Sequence, residues 1–137
     1  MRPGNSTTPY GWALRGLTVL IALYSAFWSG LLIWAWTGLA PTHLGSLDTA
    51  GTLEFVPVWA RFSVWLWTLF LAAAVWACWT GRARAWLWVV LAMVPHLVVF
   101  LTLSANPFYD GTAGYINFAI EFGTALLLYF AARSRGD

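Results

Sequence analysis

One carboxylic acid, Glu121, lies in the middle of the otherwise apolar stretch from Thr112 to Ala132. The stretch is long enough to cross a lipid bilayer as a helix. A charged side chain at the centre of such a helix costs about 2.5–3.5 kcal/mol on membrane-insertion scales. Glu121 therefore needs a polar partner, a bound proton or a function.

Glu121 lies on a face of its helix that is made of small and polar residues. Steps of three or four residues from it reach Gly114, Asn117, Thr124, Ala125 and Leu128. The opposite face of the helix is apolar. Because small and polar residues of membrane helices face other helices, we expect Asn117, Glu121 and Thr124 to point into a helix bundle.

His96 is the candidate partner of Glu121. It lies nine residues before Ala105, the end of its own apolar run, and Glu121 lies nine residues after Thr112. At a rise of about 1.5 Å per residue, both lie ~13–14 Å below the same end of two antiparallel helices. Equal depth permits a hydrogen bond between them. Pro95 leaves one carbonyl without its helical donor, which favours a kink and a small polar cavity at this point.

The His96–Glu121 pair has two interpretations. In the first, it is a buried pair that only fixes the register of two helices. In the second, it binds a small ligand or relays protons, because ionisable residues inside a membrane usually serve a function.

Arg61 is a further candidate, at the end of its own apolar run. The interpretation we favour is an interfacial arginine that pairs with Glu54 or Asp110. The functional alternative places it at the mouth of a cavity, where its guanidinium would capture an anionic head group.

The composition is that of an integral membrane protein. The 137 residues are 61% hydrophobic and 9% charged, whereas a soluble domain has about 25% charged residues. No basic stripe lies outside the apolar runs, so a nucleic-acid partner is not expected. The single cysteine, Cys78, excludes a cysteine pair within the chain, and no metal-binding or phosphate-binding motif is present. We therefore expect no metal site, and no cofactor is evident.

Four apolar runs predict an all-α membrane protein, a four-transmembrane-helix antiparallel bundle that forms one domain over residues 1–137. The predicted spans are 16–37, 62–80, 85–105 and 112–132, with a short tail before them and an extracytoplasmic loop at 38–61. Asp110 or Thr112 is expected to cap the fourth helix. A cleaved signal peptide is the alternative for the first run, which is longer than the 7–15 apolar residues typical of a signal.

The arginines predict the orientation. Six of the seven fall on one side of a four-span arrangement: Arg2, Arg15, Arg82, Arg84, Arg133 and Arg135. By the positive-inside rule, both termini are cytoplasmic and the protein is a multi-pass inner-membrane protein.

The general layout resembles that of the DoxX-like group of small bacterial membrane proteins. The resemblance rests on four spans in 137 residues, the long first loop, the GRARAW turn at 81–86 and the histidine in the third span. Members of that group are linked to quinone-coupled sulfur oxidation or are uncharacterised. No catalytic residue is carried over.

Three functional hypotheses follow. The leading one is a non-enzymatic accessory subunit that contacts lipids and a membrane-protein partner or a second copy of the chain. The second is a small-ligand or proton-coupled membrane protein that uses Glu121 and His96. The third is an oxidoreductase subunit that binds an apolar ligand such as quinone. Three tryptophans far from the span ends would pack or line its pocket: Trp28, Trp65 and Trp67.

Overall fold

The structure, a computed structural model, describes residues 9–37, 39, 43–44, 47–48, 51, 56–105 and 111–134. Within these residues, four helices are long and apolar enough to cross a membrane. They are α1 (Pro9–Trp36), α2 (Val58–Trp79), α3 (Ala85–Leu103) and α4 (Thr112–Arg133). A small antiparallel hairpin of β1 (His43–Leu44) and β2 (Leu47–Asp48) lies between α1 and α2. The protein is thus an all-α, multi-pass membrane protein, as the composition predicts.

Two helices begin earlier than predicted. α1 begins at Pro9 rather than near residue 16, because proline is well suited to the first turn of a helix, where its missing N–H is not needed. The predicted tail therefore shortens to residues 1–8, which lie outside the described residues. α2 begins at Val58 rather than at residue 62, so that Trp59 belongs to its first turn.

Glycines in the left-handed region form both turns that flank α3. At the end of α2, Gly81 has φ +70°, and the N–H of Arg82 donates to the carbonyl of Ala77 at 2.9 Å, which closes the helix. The N-cap of α4 is Gly111, with φ +77° and no side-chain cap. The expected capping by Thr112 is wrong, since Thr112 is the first helical residue. Asp110 lies outside the described residues.

The four helices pack as a ring in chain order, and α4 closes the ring against α1. α2 and α3 are in extensive contact, and both helices bury alanines, which let two backbones approach closely. These alanines are all buried: Ala74, Ala77, Ala85 and Ala92. α1 buries three small polar residues, Thr18, Ser25 and Ser29. The Ser29 hydroxyl lies 2.7 Å from that of Thr68 on α2.

The two ends of the bundle differ in charge. The "basic end" comprises the start of α1, the turn between α2 and α3 and the end of α4, and its described arginines are Arg15, Arg82, Arg84 and Arg133. The "hairpin end" comprises β1, β2 and the beginnings of α2 and α4. Glu121 lies between the two ends.

The buried alanines of α2 and α3 predict that larger side chains at these positions destabilise the packing of the two helices. Ala74→Leu places extra methyl groups at a position with 0% exposure, and we expect it to destabilise the fold by about 1–3 kcal/mol. Thermal unfolding in detergent measures the change. Ala72→Leu, at an exposed position of the same helix, is the matched control. Equal melting temperatures for the two variants would contradict the close α2–α3 contact.

Candidate functional site

The carboxyl group of Glu121 is fully buried and is surrounded by N–H groups from three helices. Trp67 Nε1 donates to Oε1 at 2.6 Å, and Asn117 Nδ2 donates to the same oxygen at 3.2 Å. His96 Nδ1 lies 2.9 Å from Oε2. The hydrogen bond that equal depth predicts between His96 and Glu121 is thus present. Hydrogen bonds in a dry interior are electrostatically stronger than those in water.

The periodicity of each helix explains why these side chains meet. The buried face of α4 contains Gly114, Asn117, Glu121, Thr124, Ala125, Leu128 and Ala131. This is the small and polar face that the sequence predicts, and the predicted apolar face is turned outward. On α2 the buried face includes Val64, Trp67 and Leu71. α2 does not adjoin α4 in the ring of helices, so only a side chain as large as that of tryptophan reaches Glu121 from it.

The imidazole of His96 is held between two aromatic rings. The ring of Trp67 lies 4.1 Å away at an interplanar angle of 14°, and that of Phe118 lies 4.0 Å away at 6° on the other side. These two stacks fix the plane of the imidazole, and the contact of Nδ1 with Glu121 fixes its rotation within that plane. The position of the second nitrogen, Nε2, is therefore set by the fold.

The number of protons on the His96–Glu121 pair determines whether His96 Nε2 is a hydrogen-bond donor or acceptor. If the His96–Glu121 pair carries no net charge, it is either a carboxylate with an imidazolium or a carboxylic acid with a neutral imidazole. In both forms one proton lies between Nδ1 and Oε2, and another is bound to Nε2. The neutral pair therefore presents an N–H donor at Nε2.

A cavity of about 40 Å³ adjoins this site. Its walls are apolar and aromatic apart from His96, and they come from all four helices and from the segment before α2: Tyr24, Trp28, Leu32, Val56, Val64, Trp67, His96, Val99, Phe100, Leu103 and Gly114. His96 is only 4% exposed, and the described residues offer its Nε2 no hydrogen-bond partner.

The size of the cavity limits what can enter. A water molecule occupies about 30 Å³ in the liquid, and an engineered cavity that binds benzene measures about 150 Å³. A cavity of about 40 Å³ therefore admits a water molecule or the small terminal group of a larger molecule.

The cavity lies on only one side of the His96–Glu121 pair. It extends from His96 toward the hairpin end, where Val56, Leu103 and Gly114 line it. From Glu121 toward the basic end the buried residues of the described chain are apolar, apart from hydroxyls that donate within their own helices. Thr124 donates to the carbonyl of Ile120 at 2.6 Å, and Thr18 to that of Arg15 at 2.9 Å. The described residues thus supply no second ionisable group on that side for a relay across the membrane.

The structure brings together three of the five candidates from the sequence, Glu121, His96 and Asn117. Thr124 is buried one turn away, but its hydroxyl is directed to its own helix. Arg61 lies at the hairpin end, where its Nε donates to the carbonyl of Val56 at 2.9 Å, and it does not line the cavity. Its predicted partners, Glu54 and Asp110, lie outside the described residues.

Trp67 and Phe118 are the site residues that the sequence does not single out as partners of the pair. A signal for Trp67 exists, because a deep indole needs an acceptor and Glu121 is the acidic residue of the four apolar runs. Phe118 has no such signal, since it lies outside the polar face of α4. Among the described residues, no group of three His, Cys, Asp or Glu side chains is placed to hold a metal ion.

No family model matches the chain, and neither a curated protein nor a solved structure shows significant similarity to it. The resemblance to DoxX-like proteins therefore stays a prediction from the layout alone.

The geometry predicts strong coupling between His96 and Glu121. Removing one member of a buried pair costs about 3–5 kcal/mol, because the other is left without its partner. His96→Phe keeps a flat ring between Trp67 and Phe118, and Glu121→Gln keeps the size of the side chain. We expect each to lower the free energy of unfolding by about that amount, and the double variant to lose less than the sum.

Denaturant unfolding in detergent of the wild type, both single variants and the double variant provides the double-mutant cycle. Additive losses within about 0.5 kcal/mol would mean that the two side chains do not interact as the 2.9 Å contact indicates.

Proposed function

We propose that the protein binds a small amphiphilic molecule in the cavity beside His96. The observation that carries the proposal is the fixed imidazole of His96, whose Nε2 has no hydrogen-bond partner among the described residues on an otherwise apolar wall. A ligand that supplies an acceptor gives this nitrogen the hydrogen bond that the described residues do not provide.

The chemistry of the cavity defines the class of ligand. Because the neutral pair presents an N–H, the ligand carries a hydrogen-bond acceptor such as a carbonyl or ether oxygen. Because the cavity measures about 40 Å³, only a terminal group of a few atoms is enclosed. The remainder is apolar and lies in the adjoining aromatic groove or in lipid, as in a methyl ketone or ester of a long alkyl chain.

The cavity volume and the positions of the ionisable residues also bear on the other functional hypotheses. The enclosed volume of about 40 Å³ is small for a quinone ring, so the geometry favours a smaller head group. A relay of protons across the membrane finds no further ionisable group among the described residues between Glu121 and the basic end. Ligand binding from one side is therefore the function that the geometry supports best. The accessory-subunit role stays a prediction, which stoichiometric partners in a native purification would support.

A pair of single-chain probes tests the ligand class. The ketone 2-undecanone carries a terminal acceptor, whereas undecane has almost the same shape and none. We expect 2-undecanone to raise the melting temperature of the detergent-solubilised protein by several degrees, because ligand binding stabilises the folded state. Undecane should have a much smaller effect. An equal effect of the two compounds would refute the hydrogen bond to His96.

Two glycines of α4 provide matched variants for this test. Gly114→Val places a side chain in the cavity wall and should abolish the effect of 2-undecanone. Gly123→Val introduces the same residue into the same helix at a position where an added Cβ meets nothing within 4 Å, and should preserve it. Neither variant removes a member of the Glu121 network.

We further propose that the basic end faces the cytoplasm and the hairpin end the opposite side of an inner membrane, as the arginines predict. Single cysteines in a Cys78→Ala background test this orientation. Leu39→Cys, at a residue with 76% exposure, should react with a membrane-impermeant maleimide on intact bacterial cells. Ala83→Cys, in the exposed turn before α3, should react only after the cells are permeabilised. The reverse pattern would overturn the orientation, and with it the side from which the ligand enters.

A further inference from the structure

The basic end carries positive charge that no described carboxylate balances. Its described arginines belong to α1, to the turn between α2 and α3 and to the end of α4: Arg15, Arg82, Arg84 and Arg133. The described carboxylates are Asp48 in the hairpin and Glu121 in the middle of the bundle, and Glu121 pairs with His96. An anion from outside the described chain is therefore the natural counter-charge at this end.

Two of these arginines are held on tryptophan rings. The guanidinium carbon of Arg15 lies 5.1 Å from the ring centroid of Trp12 and 5.3 Å from that of Trp79. The guanidinium carbon of Arg82 lies 4.1 Å from the ring centroid of Trp76. These are cation–π distances, which stabilise a cation over an aromatic face. The rings thus place two guanidinium groups on successive turns at the end of α2.

Stacking on the tryptophan rings leaves the edges of the guanidinium groups available for hydrogen bonds to a ligand. A guanidinium that lies over a ring still directs its N–H groups outward in its own plane, in the fork that matches a phosphate group. Trp76 and Trp79 are 51% and 48% exposed, which places these arginines at the surface of the bundle. Half-exposed tryptophans at helix ends are typical of the interface between lipid head groups and acyl chains.

We propose that the basic end binds the head group of an anionic phospholipid, with Arg15 and Arg82 on its phosphate and its acyl chains along the apolar surfaces of α1 and α2. The charge is complementary, the position is that of a lipid head group, and the exposed indoles offer apolar surface to the glycerol and the upper acyl chain. This site is separate from the cavity beside His96. Neither proposal depends on the other.

Lipid titrations of the whole protein provide the test. Detergent-solubilised protein is titrated with dioleoyl-phosphatidylglycerol or dioleoyl-phosphatidylcholine, and native mass spectrometry reports the bound lipid. We expect phosphatidylglycerol to bind at least about tenfold more tightly, because each basic residue near an anionic head group contributes about a fivefold gain in affinity. Equal retention of the two lipids overturns the proposal.

Two double variants of equal net charge distinguish a specific lipid site at Arg15 and Arg82 from attraction by the overall positive charge of the basic end. R15Q/R82Q and R84Q/R133Q remove the same net charge from the same end. General attraction gives about fivefold for each arginine removed, so about 25-fold for either pair. We expect the first pair to weaken phosphatidylglycerol binding more than the second, because it also removes the two guanidinium groups that are held on tryptophan rings. Equal losses would show that diffuse charge attracts the lipid and would overturn the site at Arg15 and Arg82.

Two further measurements keep the test decisive. R15K/R82K keeps the charge but loses the planar fork, so it should fold normally and bind phosphatidylglycerol more weakly than the wild type. Wild-type affinity in this variant would overturn the role of the guanidinium groups. Inorganic phosphate at equal concentration should leave bound phosphatidylglycerol in place. Displacement of the lipid would identify a site for free anions and overturn the lipid proposal.

Discussion

The constraint on which the structure depends is the burial of one carboxyl group in the middle of a membrane bundle. Its two oxygens lie within hydrogen-bonding distance of N–H groups from α2, α3 and α4. In lipid, apolar helix surfaces have little preference for one another over acyl chains, so packing alone specifies rotation weakly. A carboxyl group that must find these partners at one depth and one angle specifies the rotation of three helices at once.

The fourth helix is positioned differently, and this explains where the cavity lies. α1 contributes no group to the hydrogen bonds of Glu121. It packs through small polar residues, and Ser29 contacts Thr68 of α2. Its aromatic residues, Tyr24 and Trp28, form one wall of the cavity. The polar cluster thus fixes three helices, and the space that remains on the side of the fourth is bounded by aromatic rings.

The sequence predicts the depth of a residue in the membrane better than it predicts the rotation of a helix about its own axis. The bundle, the buried face of α4 and the contact of His96 with Glu121 follow from periodicity and from a constant rise per residue. The rotation of α2 does not, because apolar and aromatic residues surround that helix. Trp65 and Trp67 are two residues apart on opposite sides, and only the folded bundle shows that Trp67 contacts Glu121. The early start of α1 is missed because the polar residues near Pro9 conceal its first turn.

The proposed binding role follows from how tightly His96 is held. A histidine that can rotate usually satisfies both ring nitrogens by changing its orientation. Here, rotation would break the contact with Glu121 and the stacking on Trp67 and Phe118. The fold therefore holds the imidazole in one orientation beside the cavity. An arrangement that only fixed helix register would need Nδ1 alone. The fixed position of the second nitrogen, on a residue that lines a cavity, is the observation that supports the proposed ligand over a purely structural role.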